Sequence, residues 1–390
     1  MNPVLWQADA GPQSVIRDQV GPTYEELRPG KPTTTSTFPA YPDLVARMAK
    51  DGLAHPDPAI AQVLATCAGY AYSDVGTVSM MMTRMGLEKS LCREVSRSVD
   101  AMLIRSTAHL VQSQDGRVVI VAFRGTPPLD LVSWFLDADV YPERMATAAD
   151  SHGGKDRPYE VHAGFYRNVR ITRHEIIHAL QRALRGESIV DSTTDRSFQH
   201  VSSVDPTQET GQQRAPLEAL YITGHSLGGA MAVILASMLV MSDNPAYQEI
   251  GAKLRAVYTF GQPMVGTPDF AASAAEKFSD ANVPVLRYVF KKDPVPLLPP
   301  RAVGDFAHFG QEYRLGRHGT WAASDSSKPM PWGAGLVSSF ASFGVTKFLP
   351  LRDLPFQLKI EDHFPHHYVS SLIPEGHPDE FGDYYMQRMD

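Results

Sequence analysis

The segment best placed to carry out a reaction is Gly224-His225-Ser226-Leu227-Gly228, a GxSxG pentapeptide that occurs once in this chain. An apolar run, ALYITGH, ends in it, and a second, MAVILASMLVMSD, follows it closely, so a strand, a tight turn and a helix are expected around Ser226. Glycines at 224 and 228 let strand and helix approach without Cβ clashes. Such a turn lifts Ser226 Oγ above the sheet edge and aims a helix N-terminus at developing negative charge. It also presents the Leu227 N–H as an oxyanion donor, with His225 inside the elbow. This is the chemistry of acyl transfer through a serine nucleophile, which requires a general base and a group that orients it.

The acid is sought past the end of a later strand, and VLRYVFKKDPVPLLPP puts Asp293 there. Pro294 and Pro296 stiffen that loop, although an Asp before Pro is equally a turn former. Asp269 and Asp305 compete, with Asp269 better read as a first-turn helix charge. The histidines after Asp293 are His308, His318, His363, His366, His367 and His377. His363, in the loop KIEDHFPHHYVSSL, is one of several that spacing alone leaves open.

A different chemistry is written in His174-Glu175-Ile176-Ile177-His178, which fits the HExxH zinc-hydrolase pattern on a helix. It lacks an evident third ligand: Glu187 falls nine residues after His178, and Asp191 is near. It also accounts for five residues, where the serine set accounts for many segments. A non-catalytic binding scaffold on the same fold is the third class.

Positioning a distant Ser, Asp and His requires an alternating α/β chain. Pro56 and Pro58 introduce a helix with apolar spacing at Ile60, Val63, Leu64 and Cys67, and the Met-rich VSMMMTRMGL that follows reads as core filler. Strand signals begin near Ala101, with AMLIRSTAHLVQSQ and RVVIVAF joined by a turn at Asp115-Gly116. HAGFYRNVRITRHEIIHALQRALRG is a long amphipathic helix ending at Gly186. Beyond the pentapeptide come strand LRAVYTF, helix FAASAAEKF and strand VLRYVF. The alternation predicts an α/β class with a mostly parallel central sheet flanked by helices. Residues 1–50 are expected as an extended N-terminal arm, 51–390 as one catalytic domain, and 187–216 as a polar surface insertion.

Bulk properties narrow the function further. With 390 residues, 43% hydrophobic and 20% charged, a sizeable core is available. A formal charge of −7 argues against nucleic acid or an anionic membrane held by net charge. Two cysteines, Cys67 and Cys92, form no disulfide framework and are expected as free buried thiols. The N-terminus lacks the basic and apolar regions of a secretory signal, and the longest uncharged stretch, 329–346, is broken by prolines and glycines. The expectation is a soluble protein, cytoplasmic or exported by a route the sequence does not display.

These segments resemble the class 3 (fungal-type) lipases of the α/β-hydrolase superfamily. VVIVAFRGT is similar to the family's oxyanion strand, WFLDAD (134–139) to the Trp-x-x-Asp-x-Asp after it, and VHAGFY (161–166) to Val-His-x-Gly-Phe. YITGHSLGGA resembles the nucleophile segment and YTFGQPMVG the next strand and loop. KKDPVPLLPP resembles the acid loop, AHFGQEYRL a His-x-Gly-x-Glu-Tyr strand, and DHFPHHY an Asp-His pair with Tyr five residues after the His. The likeness spans roughly residues 60–372 in the family's order, and its DHFPHHY form is closer to bacterial and plant members than to secreted fungal ones. The resemblance implies Ser226 as nucleophile, Asp293 as acid, His363 as base and Thr126 as the second oxyanion residue. It implies structural roles for His162 and His308, and no metal or organic cofactor. It implies an acylglycerol or other lipid ester substrate, met through transient contact with a lipid–water interface. PPLDLVSWFLDAD stands where the family carries a lid, which makes Leu129, Leu131, Val132, Trp134 and Phe135 candidate cover residues, a permanently packed segment being the alternative. In WGAGLVSSFASFGV, Leu336, Phe340 and Phe343 share a helical stripe that suits an acyl pocket or plain core. A soluble short-chain carboxylesterase or a phospholipase A1 fits the same three residues.

Overall fold

The computed structural model describes residues 13–22, 41–52, 54–99, 104–126, 141–145, 159–190, 214–299, 304–316, 319–324 and 360–380. Its strands are β1 (Gln13–Val20), β2 (Leu91–Val99), β3 (Ile104–Gln112), β4 (Val118–Phe123), β5 (Pro142–Arg144), β6 (Glu160–His162), β7 (Ala219–His225), β8 (Leu254–Phe260), β9 (Val285–Val289), β10 (Gln311–Leu315) and β11 (Trp321–Ser324). Its helices are α1 (Leu44–Ala49), α2 (Pro58–Tyr70), α3 (Val75–Met85), α4 (Ala163–Leu184), α5 (Leu227–Val240), α6 (Pro245–Gly251), α7 (Pro268–Asp280) and α8 (Pro365–Ser371).

Nine strands form one sheet in the order β1-β2-β3-β4-β7-β8-β9-β10-β11, while β5 and β6 pair apart. From β4 through β7, β8 and β9 to β10 every pairing is parallel. The margins are antiparallel. Parallel strands need crossovers, and α5 and α7 supply them between β7, β8 and β9. This is the α/β-hydrolase arrangement, with the carboxyl ends of the parallel strands at one rim.

The strands sort their side chains with period two. Val119, Val121 and Phe123 enter the layer that holds α4 and α5, whereas Val118, Ile120 and Ala122 enter the layer that holds α1, α2 and α3. Met81, Met82 and Met85 of α3 fill that second layer, as expected of the Met-rich run. Helix α5 is buried from Leu227 to Leu239, so it is apolar on every side rather than on one face. Among the described residues no single helix is long and apolar enough to cross a membrane.

Several expectations change. Within the stretch expected as an arm, β1 pairs with β2 along its full length, and Leu44 and Met48 of α1 are fully buried. An extended arm is too simple a description of 1–50. Strand β2 precedes the point where strand signals were expected to begin. The insertion expected from 187 begins with core-linked residues: the Gln112 amide donates to Glu187 O and accepts from Ile189 N–H, and Ile189 is buried. Residues 191–213 of that insertion lie outside the described residues. Cys67 and Cys92 are both free and buried; burial pushes the Cys92 thiol up to about 11 and the Cys67 thiol higher still.

Candidate active site

Strand β7 hands directly to α5 through Ser226, whose backbone is held at φ 59 and ψ −129. A positive φ in a residue with a Cβ is costly, and the surrounding packing enforces it here. A Cβ at Gly224 would lie 2.2 Å from the Gly228 carbonyl oxygen, and one at Gly228 would lie 2.2 Å from that of Phe123. The two glycines therefore let the helix start against the strand it follows and against β4 beside it. The Ser226 N–H donates to Phe260 O at 2.8 Å, tying the elbow to the end of β8. Gly229 and Ala230 donate to the Ser226 carbonyl, while the Leu227 N–H, first in the helix, has no intrahelical acceptor.

Asp293 follows β9 in a tight turn closed by its own N–H to Phe290 O at 2.9 Å. Oδ1 accepts the Val295 N–H at 2.9 Å. Oδ2 accepts two bonds, from His363 Nδ1 at 2.8 Å and from the Tyr368 hydroxyl at 2.5 Å. His363 ends a single 3-10 turn, Ile360–His363, that leads into α8. The Lys292 N–H donates to Asp362 Oδ2 at 3.2 Å, which fastens the acid loop to the histidine segment. The Tyr368 hydroxyl also accepts the Phe290 N–H at 3.1 Å. Burial and the Asp293 charge raise its pKa well above the usual phenol range, so it stays a donor.

Ser226 is bracketed by residues that touch His363. The His225 and His363 rings lie 4.5 Å apart, and a Cβ at Gly261, next to Phe260, would meet the His363 ring at 2.8 Å. Ser226, Asp293 and His363 are each 0% exposed. Neither Ser226 Oγ nor His363 Nε2 has a hydrogen-bond partner. The Asp293–His363 bond is thus made and a His363–Ser226 bond is not. Catalytic hydrogen bonds are commonly unformed in the absence of substrate.

Thr126 is half-buried just past the end of β4. Its position follows from Gly125, where a Cβ would lie 2.5 Å from the His225 carbonyl oxygen. The Thr126 segment thereby packs on the elbow from the side opposite Gln262, whose side chain faces Gly229. The candidate cover residues Leu129, Leu131, Val132, Trp134 and Phe135, the stripe of Leu336, Phe340 and Phe343, and His318 lie outside the described residues.

The competing residues are engaged elsewhere. Asp269 sits in the first turn of α7, and Asp305 is exposed. His308 donates Nε2–H to Pro296 O at 2.7 Å, which braces the acid loop. His162 stacks on Phe165 at 3.9 Å, and burial pushes its pKa down to about 3. His366 is exposed, while His367 stacks on Phe290 and His377 on Tyr41. On α4, His174 and His178 are exposed and Glu175 is paired with Arg97 of β2. Among the described residues no group of three metal-ligating side chains forms around them, so the HExxH reading loses its geometric basis. Sequence reasoning missed Tyr368 as a partner of Asp293, Tyr72 as a partner of His225, and Gly261. The tyrosine in DHFPHHY was the one available signal.

The model of the class 3 lipase family matches residues 120–303, a span that holds Thr126, the elbow and Asp293. The chain is 25% identical over 200 residues to a triacylglycerol lipase of Arabidopsis thaliana, covering 48% of this chain and 35% of that protein. It is 29% identical over 223 residues to a secreted mono- and diacylglycerol lipase of Gibberella zeae, covering 53% of this chain and 46% of that one. The chain thus spans less than half the length of these curated relatives. Among solved structures, lipase II of Rhizopus niveus superimposes with TM-score 0.45 at 20% identity, covering 67% of this chain and 82% of that one. Over residues 120–303 the chain is thus similar to the class 3 lipases, and that span carries the elbow and the Asp293 loop.

Proposed function

We propose that this protein is a serine carboxylic-ester hydrolase that acts on acylglycerols. The observation that carries the reading is the Asp293–His363 bond together with a strained Ser226, with Ser226 Oγ and His363 Nε2 among the buried polar atoms that lack a hydrogen-bond partner. A buried hydroxyl or imidazole nitrogen left open is costly unless it serves a partner or a ligand.

In the proposed cycle His363 Nε2 takes the Ser226 proton as Oγ attacks the ester carbonyl carbon. Asp293 holds the Nδ1–H tautomer and stabilises the imidazolium. The N–H groups of Leu227 and Thr126 receive the tetrahedral oxyanion; one such donor is typically worth ~10²–10³ in kcat. Collapse expels the alcohol, which leaves with the proton from His363. Water then attacks the acyl-serine, gives a proton to His363, and the second collapse releases the acid and restores Ser226. Ser226 is fully buried, so a substrate gains access only if the site opens, which suits a substrate presented at a lipid–water interface.

Hydrolysis of a p-nitrophenyl ester series from acetate to stearate, with Ser226→Ala as control, tests the reading. Activity that rises with chain length and vanishes in Ser226→Ala supports a lipase. A sharp preference for acetate favours the short-chain esterase, and activity untouched in Ser226→Ala ends the serine mechanism.

A further inference from the structure

His225, the second residue of the pentapeptide, is held by two hydrogen bonds that join three distant segments. Its Nε2 lies 2.7 Å from the backbone oxygen of His363, and its Nδ1 lies 2.9 Å from the Tyr72 hydroxyl. A carbonyl oxygen only accepts, so Nε2 carries a proton. The ring is 1% exposed and lies 4.5 Å from the ring of His363. Burial, and then the charge His363 would carry, push the His225 pKa well below the usual range and keep the ring neutral. A neutral ring with its proton on Nε2 leaves a lone pair on Nδ1. The Tyr72 hydroxyl must therefore donate to it, a role a hydroxyl held above its usual pKa by burial retains. The same hydroxyl sits against the backbone leading to Thr126. A Cβ at Gly125 would lie 2.2 Å from it, and the Thr126 carbonyl oxygen is 3.4 Å away.

We propose that His225 and Tyr72 form a neutral strut that positions the imidazole of His363 and the Thr126 segment relative to Ser226, and so act as positioning residues for ester hydrolysis. The inference rests on the reading of Ser226, His363 and Asp293 given above. The strut links the two parts of the site whose spacing decides the reaction: the base, through the backbone of His363, and the oxyanion donor, through the backbone next to Thr126. It must stay uncharged throughout the cycle, because an imidazolium forms 4.5 Å away at each step. Tautomer and orientation are fixed together, as for histidines whose second nitrogen is committed to a fixed partner.

The test uses the full chain, p-nitrophenyl butyrate, and the variants His225→Leu, His225→Gln and Tyr72→Phe. A glutamine amide can donate where Nε2 does, whereas leucine fills the volume and donates nothing. His225→Leu is expected to lower kcat about 100-fold with KM within about twofold, and His225→Gln to recover about tenfold of that loss. Tyr72→Phe is expected to lower kcat about fivefold, also at constant KM. Nitrogen-15 NMR of the wild-type imidazoles, a readout independent of turnover, is expected to find His225 neutral and protonated on Nε2 at neutral pH. A His225→Gln variant no better than His225→Leu, a Tyr72→Phe variant with unchanged kcat, or a His225 ring charged or protonated on Nδ1 would each overturn the proposal. Should His225→Leu fail to fold, the glutamine and phenylalanine variants and the spectrum still decide it. If wild-type protein shows the Nε2–H ring yet neither hydrolyses the ester nor reacts at Ser226 with a phosphonate, the hydrolase reading is what fails.

Discussion

The Tyr368 hydroxyl donates a 2.5 Å hydrogen bond to the same Asp293 oxygen that accepts His363 Nδ1–H. The carboxylate is shared between an orienting phenol on α8 and the imidazole. Tyr368→Phe removes that donor and leaves the Phe290 N–H without its acceptor. Asp293 Oδ2 then keeps one of its two donors, and the carboxylate that orients His363 is held less firmly. At neutral pH kcat/KM is expected to fall about tenfold, equivalent to about 1.4 kcal/mol. An unchanged kcat/KM would mean that the phenol only fills space.

Gly261 lies beneath the same pair. Its φ is 59, and a Cβ there would sit 2.7 Å from Asp293 Oδ2 and 2.9 Å from His363 Nδ1. Gly261→Ala must strain the backbone and push the acid–base bond apart. The expected outcome is a kcat/KM loss of about 100-fold or more, with about 1–3 kcal/mol lost in urea unfolding. Wild-type kinetics in this variant would contradict the packing described.

The strand, elbow and acid loop were legible because each has a local signature: a continuous apolar run in Val118–Phe123, small residues around Ser226, prolines after Asp293. Strands β1 and β2 were not, since their pairing is partly polar. Arg93, buried in β2, bonds Asp18 of β1 through Nε at 2.9 Å, and such cross-strand partners leave no apolar period. Tyr72, Tyr368 and Gly261 were missed for a related reason. Their roles are contacts between segments far apart in the chain, and a lone tyrosine or glycine announces no partner.

The HExxH pentapeptide provides a test of what the site does not use. Its histidines are exposed on α4, and Glu175 pairs with Arg97. His174→Ala with His178→Ala should leave kcat/KM within about twofold of wild type, as surface changes usually do. A chelator should leave ester hydrolysis unchanged. Loss of activity in either experiment would restore a metal mechanism.

Buried neutral histidines make stability depend on acid. Burial pushes His109 down to about 4 and His162 to about 3, with His225 and His308 also well below their ordinary value. The unfolded chain binds protons near pH 6.5, where the folded chain does not. Stability is therefore full above about pH 6.5 and declines as pH falls toward about 4, His109 alone accounting for about 2 kcal/mol at pH 5. Urea unfolding at a series of pH values should give that slope, and His109→Leu should reduce it by about one proton. A flat curve would contradict the burial of these rings.

The central claim is that Ser226 is a nucleophile activated by His363. Intact-mass analysis after treatment with an alkyl phosphonate ester measures it most directly. One adduct per chain, mapped to Ser226, absent from Ser226→Ala and strongly slowed in His363→Ala, is the predicted result. An unlabelled wild-type chain, or labelling that persists when Ser226 is replaced, would contradict it.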